Sequence, residues 1–214
     1  ASFILTFFVL KPNPENQAEN FKKELKAMPG ELSGEFSALQ DLTLRAAKMA
    51  ELWRDTVHVT CVAMACLQAY LPQHKHDNLN LDTLTLAALV HRIGVLPILA
   101  EAEKHPQVCG EESFLSHAID DFSSSIGEAI LHSWEFANTF VEVVHYWKHT
   151  EFSGVVSYVD FIRLGLIAAN YYSDPREQDK LLEAYVQVGL VSKRAFMQDP
   201  AVLQAYNEAK ALFV

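Results

Sequence analysis

Histidine and arginine stand side by side in "LAALVHRIGVL", Leu86 to Leu96, a segment that is otherwise almost wholly apolar. A histidine followed by an aspartate in such a setting reads as part of a metal site. His91 followed by Arg92 does not, and the difference bears on whether the chain is an enzyme. Other residues could supply metal ligands. Asp55 and His58 are three apart in a helical pattern, and His91 could join them as a third donor. His145 and His149 are four apart, which places both on one helical face and suits zinc. Each has a plainer reading. His91 reads as a core histidine bonded to a backbone carbonyl or an acid, His145 and His149 as a solvated face, and His74 and His76 as members of the polar loop "PQHKHDN". If a metal site exists, its expected ligands are Asp55, His58 and His91.

The elements that must position these residues are helices. Helical periodicity runs through the chain and no convincing alternating strand is found. "SFILTFFVL", Ser2 to Leu10, forms a short apolar helix or strand ended by "KPNPENQ", and Phe21, Leu25 and Met28 mark a short amphipathic helix. No Gly or Pro occurs from Glu35 to Leu71, which predicts one long helix or two with a kink. Its second half carries Leu52, Val59, Val62 and Cys66 on one stripe, and Asp55 falls on the same stripe. A helix follows from about Leu81 to Ile93; Gly94 breaks it and "VLPILAEAEKH" starts another. "GEESFLSHAIDDF" and "SSSIGEAILHSW" read as two helices, the second capped by its serines. "ANTFVEVVHYWKH", "VVSYVDFIRLGLIAANYY", "REQDKLLEAYVQVGL" and "DPAVLQAYNEAKALF" complete the series. Asp199 and Pro200 are an N-cap followed by Pro at the first helical position. Trp53, Trp134 and Trp147, at helical spacing beside Leu131, Phe136 and Phe140, are expected in the core.

Composition narrows the functional classes. In 214 residues, 50% are hydrophobic and 21% charged, the balance of a globular chain with a sizeable core. Seventeen basic against 27 acidic residues give a formal charge of −10, which disfavours a general nucleic-acid binder. Cys61, Cys66 and Cys109 lack zinc-type spacing and suggest a reducing cytoplasm without disulfides. Ser2 to Leu10 is about half the length of a membrane helix and lacks the flanks of a signal peptide, so no membrane partner is expected. The chain starts with Ala1 rather than Met, as a fragment would.

Four stretches in order, "LWRDTVHVTCVAMACL", "LAALVHRIGVLPIL", "IGEAILHSWEFANTFVEVVHYWKH" and "FIRLGLIAANYY", together resemble an HDOD domain, a signalling-associated branch of the HD phosphohydrolase superfamily. The resemblance spans about Leu52 to Tyr172 and rests on Trp53, His91, Ile93, Gly94, Gly127, Ile130, Leu131 and Trp134. It implies an all-α, HD-domain-like multi-helix bundle, with residues 1–50 a poorly matched N-terminal helical segment and 51–214 the HDOD-like domain. In the superfamily, adjacent His and Asp on a helix, about 100° apart, reach one ion between helices, and the ion activates water and polarises a phosphoryl oxygen.

Set on that pattern, the vestigial metal-site positions are Asp55, His91, Arg92 and Asn170. Asp55 takes the place of the first histidine and Arg92 that of the aspartate. The later His-His pair falls near Trp147 and Lys148, Asn170 replaces the closing aspartate, and Ser123 lies where many members carry another histidine. A permanent cation at Arg92 opposes a divalent ion. Asp55 is expected to face Arg92; the alternatives are that each turns to the surface, or that Arg92 pairs with Asp120, Asp121 or Asp160. The implied function is a bacterial, cytoplasmic, non-catalytic signalling or regulatory domain with no catalytic residue and no cofactor. It would act through a protein partner, through a small ligand or as a homodimer. The rival is a metal-dependent phosphohydrolase acting on a nucleotide or phosphate ester with nonstandard ligands around His91. A third reading is a helical scaffold whose N-terminal apolar segment docks a partner or a second copy, with Phe7 and Phe8 at the contact.

Overall fold

The computed structural model describes residues 33–74, 78–105 and 112–213. Its helices are α1 (Ser33–Tyr70), α2 (Leu81–Val90), α3 (Val95–Lys104), α4 (Glu112–Ser133), α5 (Asn138–Tyr146), α6 (Tyr158–Ala168), α7 (Pro175–Gln187) and α8 (Pro200–Lys210), with a 3-10 turn at Phe196–Gln198. No strand occurs among the described residues. The expected elements at Ser2 to Leu10 and around Phe21, Leu25 and Met28 lie outside them, as do His76 and Cys109.

The chain divides into two compact units, Ala1–Arg54 and Asp55–Val214. In the first, residues 33–54 are helical. The second holds the core and the candidate site.

Local chemistry sets several helix starts. The Asn80 side chain accepts from Thr83 N at 2.8 Å and opens α2. Asp174 and Asp199 cap α7 and α8 in the same way, each followed by Pro at the first helical position. Helix α6 begins with a capping box between Ser157 and Asp160. It is buried on every side from Tyr158 to Ile167, as a central helix must be. Around it pack Val59, Val62, Cys66 and Leu67 of α1, Leu84 and Ala88 of α2, and Leu181 and Tyr185 of α7.

Glycines allow the closest approaches. A Cβ on Gly165 would lie 2.6 Å from Val59 O, so α6 meets α1 backbone to backbone. A Cβ on Gly94 would lie 1.9 Å from Ser123 O, which pins the α2–α3 turn against α4.

Three expectations need correction. The two helices read on either side of Ser123 are one, because no Pro interrupts the run and Gly127 is held by packing on Val144 rather than used as a break. The serines therefore cap nothing, and Ser123 is buried where Gly94 presses on the helix. Helix α2 ends at Val90, and residues 91–94 form a turn. Trp134 stands just past the end of α4 and is 39% exposed, whereas Trp147 is buried.

The stretch Leu81–Ala102, 22 residues, is long and apolar enough to cross a membrane by length and composition, with a mean hydropathy of 1.7 in an 18-residue window. In the fold it is two helices broken at the 91–94 turn, and Leu84, Ala87, His91, Ile93 and Val95 are buried in the domain.

Candidate functional site

His91 occupies the C-terminal cap of α2, and Arg92 follows it into the turn. The imidazole is fully buried, with Nδ1 2.5 Å from Ala88 O. A carbonyl only accepts, so Nδ1 carries the proton and Nε2 keeps its lone pair. Burial lowers the pKa to about 3, against the opposing pull of the Ala88 carbonyl, so the ring is neutral. Its edge meets the ring of Trp147 at a centroid distance of 5.2 Å. Nε2 is buried and has no hydrogen-bond partner.

Arg92 turns toward three other segments. Its Nη1 lies 4.0 Å from Asp55 Oδ2 of α1, beyond hydrogen-bond length but within ion-pair range. Its Cζ is 5.8 Å from the ring centroid of Trp147, which caps α5, and 5.8 Å from that of Tyr171, just past α6. Both distances fall within cation–π range. The arginine side chain is 17% exposed and the aspartate 55%. Asp55 thus sits at the rim rather than in the apolar stripe its spacing suggested, because one turn further along the helix Val59 takes the buried position.

Lys148 brings a second cation to Trp147, with Nζ 5.3 Å from the ring. The ammonium donates to Ile119 O at 2.9 Å and Asp120 O at 2.8 Å. Burial is the largest influence lowering its pKa; Asp120 opposes this and the Arg92 charge adds to it. Asn170 is exposed and adopts a left-handed backbone, φ 53°, ending α6 and turning the chain toward Tyr171. Tyr172 donates to Trp147 O at 2.9 Å and fixes that indole's backbone.

Of the acids proposed as rival partners for Arg92, Asp160 belongs elsewhere. Its Oδ1 accepts from Tyr185 at 2.9 Å and faces Arg163 Nη1 at 3.3 Å, in the buried interior. Arg163 also donates to Glu151 O and Tyr146 O. Burial, with Asp160 beside it, raises the pKa of the Tyr185 phenol.

The residues of the alternative ligand sets have other partners within the fold. His58 Nδ1 lies 3.0 Å from the Tyr206 hydroxyl, while His91 Nδ1 is committed to Ala88. His145 Nδ1 lies 2.6 Å from Glu128 Oε1 on an exposed face, and its ring centroid is 5.9 Å from that of His149. Among the described residues no group of three His, Cys, Asp or Glu side chains could hold a metal ion. The lone pair of His91 suits a metal, but the guanidinium beside it does not, and the Asp55 carboxylate faces that guanidinium. The donor set does not fit a divalent ion.

Sequence spacing missed the two aromatic faces on Arg92, although Trp147 was itself one of the positions it singled out and Tyr171 follows Asn170. It also missed the Asp160–Arg163 pair; two opposite charges three apart inside an otherwise apolar helix were the available signal.

Comparison with known proteins agrees with this fold. A crystal structure from Shewanella amazonensis SB2B, of a protein with the provisional name metal-dependent phosphohydrolase, superposes with a TM-score of 0.74 at 28% identity, covering 99% of this chain and 90% of the other. No curated protein matches the chain. The sequence model of the HDOD domain matches residues 33–150, beginning earlier than the motif at Trp53 and ending before Asn170. By that match the chain belongs to the HDOD domain family.

Proposed function

We propose that this HDOD chain is a non-catalytic regulatory module of a bacterial cytoplasm that works by binding a signalling partner, without a metal cofactor, nucleic acid or membrane. The observation that carries the proposal is Arg92. A guanidinium follows His91 and faces Asp55 from beside two aromatic rings that pack on each other. A divalent ion beside it would meet uncompensated repulsion in a partly buried, low-dielectric setting.

The test is elemental analysis of protein purified without chelators, with turnover assays on phosphomonoesters and phosphodiesters supplied with Mn, Mg or Zn. The expected result is far less than one ion per chain and no hydrolysis above buffer. A stoichiometric ion that disappears in His91→Ala would overturn the proposal.

One observation favours a second reading, a metal-dependent phosphohydrolase acting on a nucleotide or other phosphate ester. The buried Nε2 of His91 keeps a lone pair without a hydrogen-bond partner, and the Shewanella amazonensis relative bears a phosphohydrolase name. The same assays decide between the two readings.

A further inference from the structure

Arg92 ties four stretches of chain to one charge: its own turn, Asp55 of α1, Trp147 at the end of α5 and Tyr171 beyond α6. Three electron-rich groups stand beside the guanidinium, with the Lys148 ammonium on the same Trp147 ring system. Asp55 offers a carboxylate at 4.0 Å, and Trp147 and Tyr171 each offer a ring within 5.8 Å of Cζ. The neighbouring His91 is fully buried and packs its ring edge on the same Trp147. Such surroundings favour a cation, and their chemistry says which kind. A divalent metal demands several oxygen or nitrogen donors in place of its water shell. Ring faces cannot supply them, and one half-exposed carboxylate is not enough. A planar, weakly hydrated organic cation is different, because it loses little on leaving water and gains from π-faces on which it lies.

We propose that Asp55, Trp147 and Tyr171 form a receptor site for an organic cation of the guanidinium type, and that Arg92 is its tethered, resident occupant. The inference rests on the non-catalytic reading above, since it gives to the arginine a place that the phosphohydrolase reading would give to a metal. Removing the arginine side chain then opens a site that a free guanidinium fills. Lys148, the other cation on Trp147, does not substitute for it, because its ammonium is held by the carbonyls of Ile119 and Asp120.

The experiment is chemical rescue of Arg92→Ala in the full chain, followed by thermal unfolding and Trp fluorescence. The variant should melt about 5 °C below the parent, the shift expected for a partly buried pair in a chain of this size. Methylguanidinium at about 20 mM should restore at least half of that loss by mass action. Methylammonium and NaCl at equal concentration should restore much less. Arg92→Lys should fall between parent and Ala, since it keeps the charge without the planar face. Asp55→Asn combined with Arg92→Ala should lose the rescue. If Arg92→Ala gives no folded protein, refolding yield with and without methylguanidinium reads the same quantity.

An Arg92→Ala protein that is destabilised but indifferent to methylguanidinium, or rescued equally by NaCl, would overturn the proposal and reduce Arg92 to packing. A stoichiometric metal in the parent protein would instead overturn the non-catalytic reading, whatever the rescue shows.

Discussion

Replacing Asp160 by Ala should be among the most damaging single changes in this chain. The carboxylate accepts four hydrogen bonds, from Ser157 N at 2.8 Å, Ser157 Oγ at 3.0 Å, Arg163 Nη1 at 3.3 Å and Tyr185 Oη at 2.9 Å. The bond from Ser157 N belongs to the capping box of α6, the helix around which the core is built, and the bond from Ser157 Oγ holds the same cap. The bonds from Arg163 and Tyr185 belong to groups with almost no access to water: Arg163 is 4% exposed and Tyr185 fully buried. Removing the carboxylate leaves a guanidinium and a phenol in the interior with part of their bonding gone. Breaking a buried ion pair from one side costs about 3–5 kcal/mol, and the lost cap adds about 1 kcal/mol. A chain of this length loses about 2–4 °C of Tm per kcal/mol, so the fall should be about 10–20 °C. Urea unfolding followed by far-UV circular dichroism gives the free energy, and differential scanning calorimetry the Tm. Asp160→Asn, which keeps the shape and an acceptor, should recover part of the loss. Arg163→Met together with Asp160→Ala should cost less than the sum of the two alone, because the stranded charge is gone. A cost below about 1 kcal/mol for Asp160→Ala would refute the reasoning, since it would mean that Arg163 and Tyr185 reach water or other acceptors.

Three further outcomes follow from the geometry. Gly94→Ala should destabilise by about 3 kcal/mol, since its Cβ must displace the backbone of α4 at Ser123; Gly154→Ala, at φ +87° with open space around it, should cost only about 1 kcal/mol, and equal losses in urea unfolding would contradict this. His91, with its folded pKa lowered to about 3, binds its proton in the unfolded chain first, so stability should fall as pH drops from 6.5 toward 3 by about 1.4 kcal/mol per unit from this group. The pH slope of stability between 6.5 and 5 should flatten by that amount in His91→Gln, and an unchanged slope would argue against a buried neutral ring. Glu128→Gln, which breaks the exposed contact with His145, should change stability by less than about 1 kcal/mol, with an effect that shrinks in salt.

Legibility in the sequence followed the range of the forces involved. The caps at Asp199 and Pro200 were plain because the interaction closes within two residues, Asp199 accepting from Ala201 N at 3.0 Å. The burial of Val59, Val62 and Cys66 came from helical spacing alone. His91 against a carbonyl was equally local, since Ala88 is three residues away. The continuity of α4 through Ser123 was not legible, because whether three serines cap a helix or ride inside one depends on what packs beside them. Here that neighbour is Gly94, distant in sequence. Trp134 illustrates the same limit: its type and spacing suited the core, but its place past the end of α4 carried it to the surface. At the candidate site, the residue types said that Arg92 needed a counter-charge. Only the tertiary arrangement showed a loose contact with Asp55 at the rim and two ring faces supplying the rest.

The fold and the site can vary separately because different contacts hold them. The packing of α6 depends on Gly165 against Val59 and on the Asp160 network; the α2–α3 turn depends on Gly94 against α4. None of these contacts uses Asp55, Arg92 or Asn170. Substitutions at those three positions therefore change the charge at one end of the bundle without changing the helix crossings. The superposition on the Shewanella amazonensis structure, with a TM-score of 0.74, reports on the helix crossings and not on the charge that Arg92 carries. Variants of the glycine contacts should therefore unfold this chain, whereas Asp55→Asn should change the charge beside Arg92 and leave the helix crossings intact.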